Sequence, residues 1–155
     1  MCLTLKPGVK PEEAIKTAEE DITCYKILKS YWRRFVDDKE ILISFYQDFD
    51  YVMGRKYQRK PELGLGFRKT PAWAYYSAHD IYEVYEAFHS YKNEEIASID
   101  FDEIGRHNHC RVVAVKCTIP KGSKYVENDA FYASDTIILN EIIGEYKNKM
   151  KVVAI

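Results

Sequence analysis

Arg111-Val-Val-Ala-Val-Lys-Cys-Thr-Ile119, the turn Pro120-Lys-Gly-Ser123 and the run Asp135-Thr-Ile-Ile-Leu-Asn-Glu-Ile-Ile143 decide how this chain folds. Branching at Cβ restricts χ1 and suits a pleated surface better than a helix. Two such runs, separated by a Pro-Gly turn and a short tyrosine-bearing connection, are the expected centre of a β-sheet.

Working upstream, Ile22 to Leu28 reads as a strand that carries Lys26 inside an otherwise apolar segment. Two accounts of that lysine stand side by side. Its stem can lie on a half-exposed or edge strand while the ammonium reaches water. Alternatively, the cation stands over a cleft to meet a phosphate or carboxylate. Glu40 to Gln47 is a second strand, with Ile41, Ile43 and Phe45 at alternate positions, and Tyr51-Val-Met-Gly54 ends a third. Glu86 to Tyr91 is a short strand and Met150 to Ile155 a last one.

Helices are few. Pro11-Glu12-Glu13 opens one of two or three turns, with proline at a position that needs no N–H and two carboxylates at the positive end of the dipole. Asn93 caps another that runs to Phe101, after which Gly105 and Asn108 make a turn. A short helix fits the aromatic stretch Ala78 to Tyr85. The expected fold class is α+β: a mixed, mainly antiparallel sheet with two or three short helices, in one domain spanning residues 1–155.

Composition excludes several function classes. The 155 residues carry a net charge of −1, which gives nucleic acid or a membrane surface no global attraction. No stretch approaches the length of a membrane-spanning helix. Four cysteines (Cys2, Cys24, Cys110, Cys117) form no Cys-x-x-Cys pair, and the expectation is reduced, mostly buried thiols in a cytoplasmic protein. Nothing decides between a monomer and a homo-oligomer.

One segment departs from the average. Between Gly54 and Ala72 stand Arg55, Lys56, Arg59, Lys60, Arg68 and Lys69 against Glu62 alone, and Pro61, Gly64, Gly66 and Pro71 break regular structure there. Such a loop is either an electropositive cover for an anionic ligand or a solvated stretch balanced by the acidic first helix. Gly64-x-Gly66 is not a dinucleotide fingerprint, because no strand leads into it. Downstream, Tyr85 and Tyr91 could stack on a ligand ring, worth about 1–3 kcal/mol, or simply pack.

Other chemistry finds little support. His107, His109 and Cys110 are close in sequence, but Cys110 would face away from the two histidines in an extended chain, and no fourth ligand follows. No metal site is expected. Removal of Met1 would expose Cys2 as a thiol with its own amine base, the logic of N-terminal nucleophile hydrolases. The Gly-Ile usual after such a cysteine is replaced here by Leu3-Thr4-Leu5.

Cys24-Tyr25-Lys26, Phe88-His89-Ser90, Ile119-Pro-Lys-Gly-Ser123 and Tyr132-Ala-Ser-Asp135, in that order, resemble a group of small uncharacterised phage and prophage proteins, over Ile22 to Ile143. The same order is similar to a degenerate ADP-ribosyltransferase layout. Under that resemblance Tyr25-Lys26 stands at the first motif, Phe88-His89-Ser90 at the second and Ser134-Asp135 near the third. Lysine replaces the usual arginine, and no Glu-x-Glu or Gln-x-Glu precedes Ile137, which leaves Asp135 as the candidate acid.

Three functions follow as expectations. The first is a binding protein without a cofactor that sequesters or recognises a nucleotide or ADP-ribose-like signal, as a phage might counter a host defence. Lys26, Arg55, Lys56, Arg59, Arg68, Tyr85, His89, Ser90 and Tyr91 would hold it. The second is a divergent transferase using NAD, with Lys26 on the pyrophosphate and Asp135 as acid. The third is an interaction module that inhibits a host protein.

Overall fold

In the computed structural model, which describes residues 3–30, 35, 36, 38–45, 47, 49–70 and 79–153, the run opening at Arg111 is the strand around which the main sheet is arranged. In chain order the elements begin with β1 (Leu3–Thr4), α1 (Pro11–Ala14), β2 (Lys16–Thr17), β3 (Ile22–Ser30), β4 (Phe35–Val36), β5 (Lys39–Ser44), β6 (Asp50–Val52) and β7 (Lys56–Gln58). Then come β8 (Gly66–Thr70), β9 (Ile81–Glu86), β10 (Phe88–Tyr91), α2 (Glu94–His107) and β11 (Arg111–Ile119). A final meander holds β12 (Lys124–Glu127), β13 (Phe131–Ser134), β14 (Thr136–Lys147) and β15 (Met150–Val153).

Every residue of β11 pairs with β3, from Arg111 opposite Ser30 to Ile119 opposite Ile22, and β14 lies along its other edge. The sheet continues from β3 through β10, β13 and β12 to β2, and from β14 to β15. Short strands add to its middle: β5 on β3, β6 on β5 and β7 on the start of β14. A smaller sheet has the order β1-β9-β8. All pairings among the described residues are antiparallel, so the expectation of a mixed sheet is corrected to an antiparallel one.

Burial on both faces explains why β11 reads as a continuous apolar run instead of an alternating one. Val113, Val115, Cys117 and Ile119 pack with Cys24, Leu28, Leu42, Tyr51, Phe88, Ile137 and Leu139. On the opposite face Val112 and Ala114 meet Ile27, Tyr146 and the α2 residues Ala97 and Phe101. A third cluster, Leu3, Leu5 and Val84 with Val126 and Ala133, ties the smaller sheet to the larger one. At about 1.5–3 kcal/mol for each large apolar side chain removed from water, these clusters supply the main driving force. No described helix is long and apolar enough to cross a membrane.

Several local expectations are corrected. The first helix is a single turn, because Ile15 already has extended backbone and Lys16 pairs across to Tyr125. The helix expected near Ala78 to Tyr85 is strand β9 over Ile81–Glu86, held between β1 and β8. The basic segment after Gly54 is not irregular throughout, for it contains β7 and β8. Gly66 does not break β8: a Cβ there would lie 2.4 Å from the Cβ of Glu86, so glycine is what lets the two strands approach. Asn93 does cap α2, its side chain accepting from the Ile96 N–H at 2.9 Å. The helix then continues past Phe101 to His107, taking in Gly105, and Asn108 is its C-cap. The connection between β11 and β14 contains the hairpin of β12 and β13.

Candidate functional site

The site lies where β10 leaves β9. Phe88 and Ser90 point to the interior, whereas His89 turns the other way, and all three are buried. His89 Nε2 lies 3.0 Å from the Val84 carbonyl, and its Nδ1 lies 3.3 Å from Gln47 Nε2. The Ala87 carbonyl also interacts with the ring; the Val84 carbonyl at 3.0 Å only accepts, so the hydrogen is assigned to Nε2, with Nδ1 receiving one from Gln47. Burial, reinforced by the nearby charge of Lys26, lowers the His89 pKa to about 4, so the ring is neutral at neutral pH.

Lys26 meets His89, but not in a solvent-filled pocket. Its ammonium donates to the His89 carbonyl and lies 5.1 Å from the centre of the Tyr51 ring. The residue is 5% exposed, and β3 is an internal strand, which corrects the edge or half-exposed account. Around it the interior is unusually polar for a core: among the described residues the Tyr51 hydroxyl has no hydrogen-bond partner, and Ser90 has only the neighbouring Cys24 thiol. Cys24 and Cys117 stand directly opposite each other, and burial pushes the Cys117 thiol well up.

Beside the start of β10, lined by Phe88 and not by His89, a cleft of about 320 Å³ opens to solvent. Its aromatic wall is made by Phe49, Tyr57 and Phe88, whose rings lie 5.5, 5.6 and 6.5 Å apart in edge and tilted contacts. Two edge-on contacts and one tilted contact join the three rings, each worth about 0.5–1.5 kcal/mol beyond burial. Phe49 is nevertheless 38% exposed, leaving part of its surface open to an occupant. The polar rim consists of Gln47, Gln58, Arg59 and Glu86. Arg59 donates from Nε to the Gly64 carbonyl at 2.7 Å and from Nη2 to Glu86 at 2.9 Å. The cation expected to draw in an anion is therefore already matched by a carboxylate at the mouth.

Of the residues predicted from sequence, Arg59 and Tyr85 line this cleft. His89 stands behind it through Gln47, and Lys26 and Ser90 lie deeper. Tyr91 belongs to the opposite face, where its hydroxyl donates to Asp100 at 2.9 Å and its ring meets Phe131. Arg68 pairs with Glu83 at 2.6 Å and lies 5.7 Å from the exposed Tyr85 ring. Arg55 and Lys56 are exposed near the start of β7, outside the cleft lining. Asp135 Oδ1 accepts from the Lys124 N–H at 3.1 Å and from Thr136 Oγ1 at 3.0 Å, the work of a turn between β13 and β14. Cys2 lies outside the described residues.

Sequence reasoning missed Gln47, Phe49, Tyr57, Gln58, Glu86 and Phe88 as site residues. Their only signal was position: Tyr57 and Arg59 fall two apart, which puts them on one side of an extended chain. A larger cleft of about 440 Å³ runs between the N-terminal arm and the β12–β13 turn. It has no aromatic lining, and its charges close on one another, with Glu127 held by Lys16 at 3.1 Å and Lys92 at 3.3 Å.

No protein-family model matches this chain, and neither a curated protein nor a solved structure matches it. Its function is argued from the cleft alone.

Proposed function

We propose that the chain is a non-catalytic binding protein whose cleft takes the base of a nucleotide. The observation that carries this reading is the open aromatic wall of Phe49, Tyr57 and Phe88 facing a rim of hydrogen-bonding groups within one cavity. A planar heterocycle has both the π-face for such a wall and the edge for such a rim. A volume of about 320 Å³ suits a single base with part of its ribose, at the lower end of small-molecule sites. Phosphates would extend past Arg59 into solvent.

The transferase reading that the motif order suggested has less behind it. A dinucleotide exceeds this cavity, and the Asp135 carboxylate is engaged in a turn. An ADP-ribosyltransferase-like fold stays a resemblance of motifs, set beside an antiparallel α+β architecture.

Thermal unfolding with adenosine, guanosine, cytidine and uridine monophosphates, ADP-ribose and NAD tests the proposal. A nucleotide present at 100 times its Kd adds about 2.7 kcal/mol, and a domain of this size then melts about 5–10 °C higher. Phe49→Ala should weaken binding by about 1–3 kcal/mol, read against the variant's own unliganded melting point, which falls because the ring's contacts with Tyr51, Tyr57 and Phe88 are lost. If no compound moves the melting point at millimolar concentration, the reading is wrong.

A further inference from the structure

We propose that Gln47 reads an exocyclic amino group on the bound base, so the cleft selects amino-substituted heterocycles (adenine, guanine or cytosine) over their counterparts without the amine. This rests on the base-binding reading above and makes it more specific.

The hydrogen-bond network fixes the orientation of the Gln47 amide. Its Nε2 donates to the Tyr85 carbonyl at 3.0 Å and to His89 Nδ1 at 3.3 Å. The Tyr85 carbonyl can only accept. His89 Nδ1 must accept as well, because the ring's single hydrogen is on Nε2 facing the Val84 carbonyl. Both amide hydrogens are thus used within the protein. Rotating the amide by 180° would set its oxygen against two acceptors and lose both bonds, a cost of about 1–3 kcal/mol for each group left unpaired.

What remains is Oε1, to which no described residue donates, on a side chain that lines the cleft. The site therefore presents a hydrogen-bond acceptor that cannot turn into a donor. An amino group supplies the N–H it lacks, whereas a keto oxygen at the same place would face it acceptor to acceptor. His89 touches no ligand in this scheme. It is a positioning residue, buried at 7% exposure so that water cannot substitute for it on Nδ1.

Calorimetric titration of three pairs of monophosphates decides the matter: adenosine against inosine, guanosine against inosine, and cytidine against uridine. The expected result is at least one amino compound binding about tenfold or more tightly than its partner, which has a keto oxygen (inosine against adenosine, uridine against cytidine) or a hydrogen (inosine against guanosine) in place of the amine. Gln47→Leu should bring that pair to near equality, because stacking is retained while the acceptor is lost together with the amide's bonds to Tyr85 and His89. If the variant does not fold, the wild-type ratio still stands, and ¹⁵N spectra of His89 provide a second reading by locating the hydrogen on Nε2. Partners without the amine binding as tightly in all three pairs, or a hydrogen on Nδ1, would overturn the role of Gln47 while base binding survives. No binding by any of the five compounds would remove both.

Discussion

Replacing His89 by glutamine measures how completely the interior behind the cleft has been withdrawn from water. Burial first, and the charge of Lys26 second, lower its pKa to about 4 from an ordinary 6.5. The folded protein binds this proton more weakly than the unfolded chain does. Stability is therefore complete above about pH 6.5 and falls as the pH drops towards 4, because the unfolded chain takes the proton first. A histidine pKa of about 4 in place of 6.5 corresponds to roughly 3 kcal/mol in all, more than half of it lost by pH 5. Asp102 is held below the usual carboxylate range by Lys151 and Tyr146. Glu127 and Glu145 are held below it by their basic partners against the opposing effect of burial. Those carboxylates release their contribution as the pH falls through their ordinary values of about 4.5 and below, so the window from 6.5 to 5 belongs chiefly to the histidine. Urea unfolding at pH 7, 6, 5 and 4.5 should show wild-type stability falling through that window and His89→Gln nearly flat. Parallel curves for the two proteins, or an NMR titration of His89 centred near 6.5, would refute the account of a desolvated ring.

Lys26→Met removes the charge that disfavours the imidazolium, so His89 should titrate higher than in the wild type, though still below an exposed histidine; an unchanged NMR midpoint would show that the ammonium does not act on the ring. Gly105→Ala should destabilise by about 1–3 kcal/mol, because a Cβ there would lie 2.3 Å from the Tyr146 ring; urea midpoints within error of wild type would mean α2 can back away from the sheet. Asn93→Ala should cost about 1 kcal/mol and Asn93→Asp much less, since aspartate keeps the acceptor for the Ile96 N–H. Equal losses in the two variants by the same unfolding assay would deny the cap.

The central strands were legible because burial on both faces leaves few residues to interrupt the apolar pattern. The length of α2 was not, because what sustains it beyond Phe101 is distant in sequence: Gly105 against Tyr146, and Asp102 accepting from the Tyr146 hydroxyl at 2.9 Å. Strand β9 was not legible because its aromatic residues show no decisive period and its pairing is set from outside, by β1 along one edge and β8 along the other. In the site, Arg59 and Tyr85 stood out by charge and aromaticity. Gln47 did not, since nothing in an isolated glutamine signals function until the histidine behind it dictates which end of the amide faces the cleft. Phe49 and Tyr57 become neighbours only through two ladders, β5 with β6 and β7 with β14.

Because Arg59 already faces Glu86, each phosphate added to a bound nucleotide meets a neutral latch in place of a bare cation. Affinity should then climb little from nucleoside to monophosphate to triphosphate; a tenfold gain with every phosphate would contradict this. Occupancy of such a cleft follows the summed pool of one base, not the ratio among its phosphorylated forms. It would gauge abundance and be blind to energy charge.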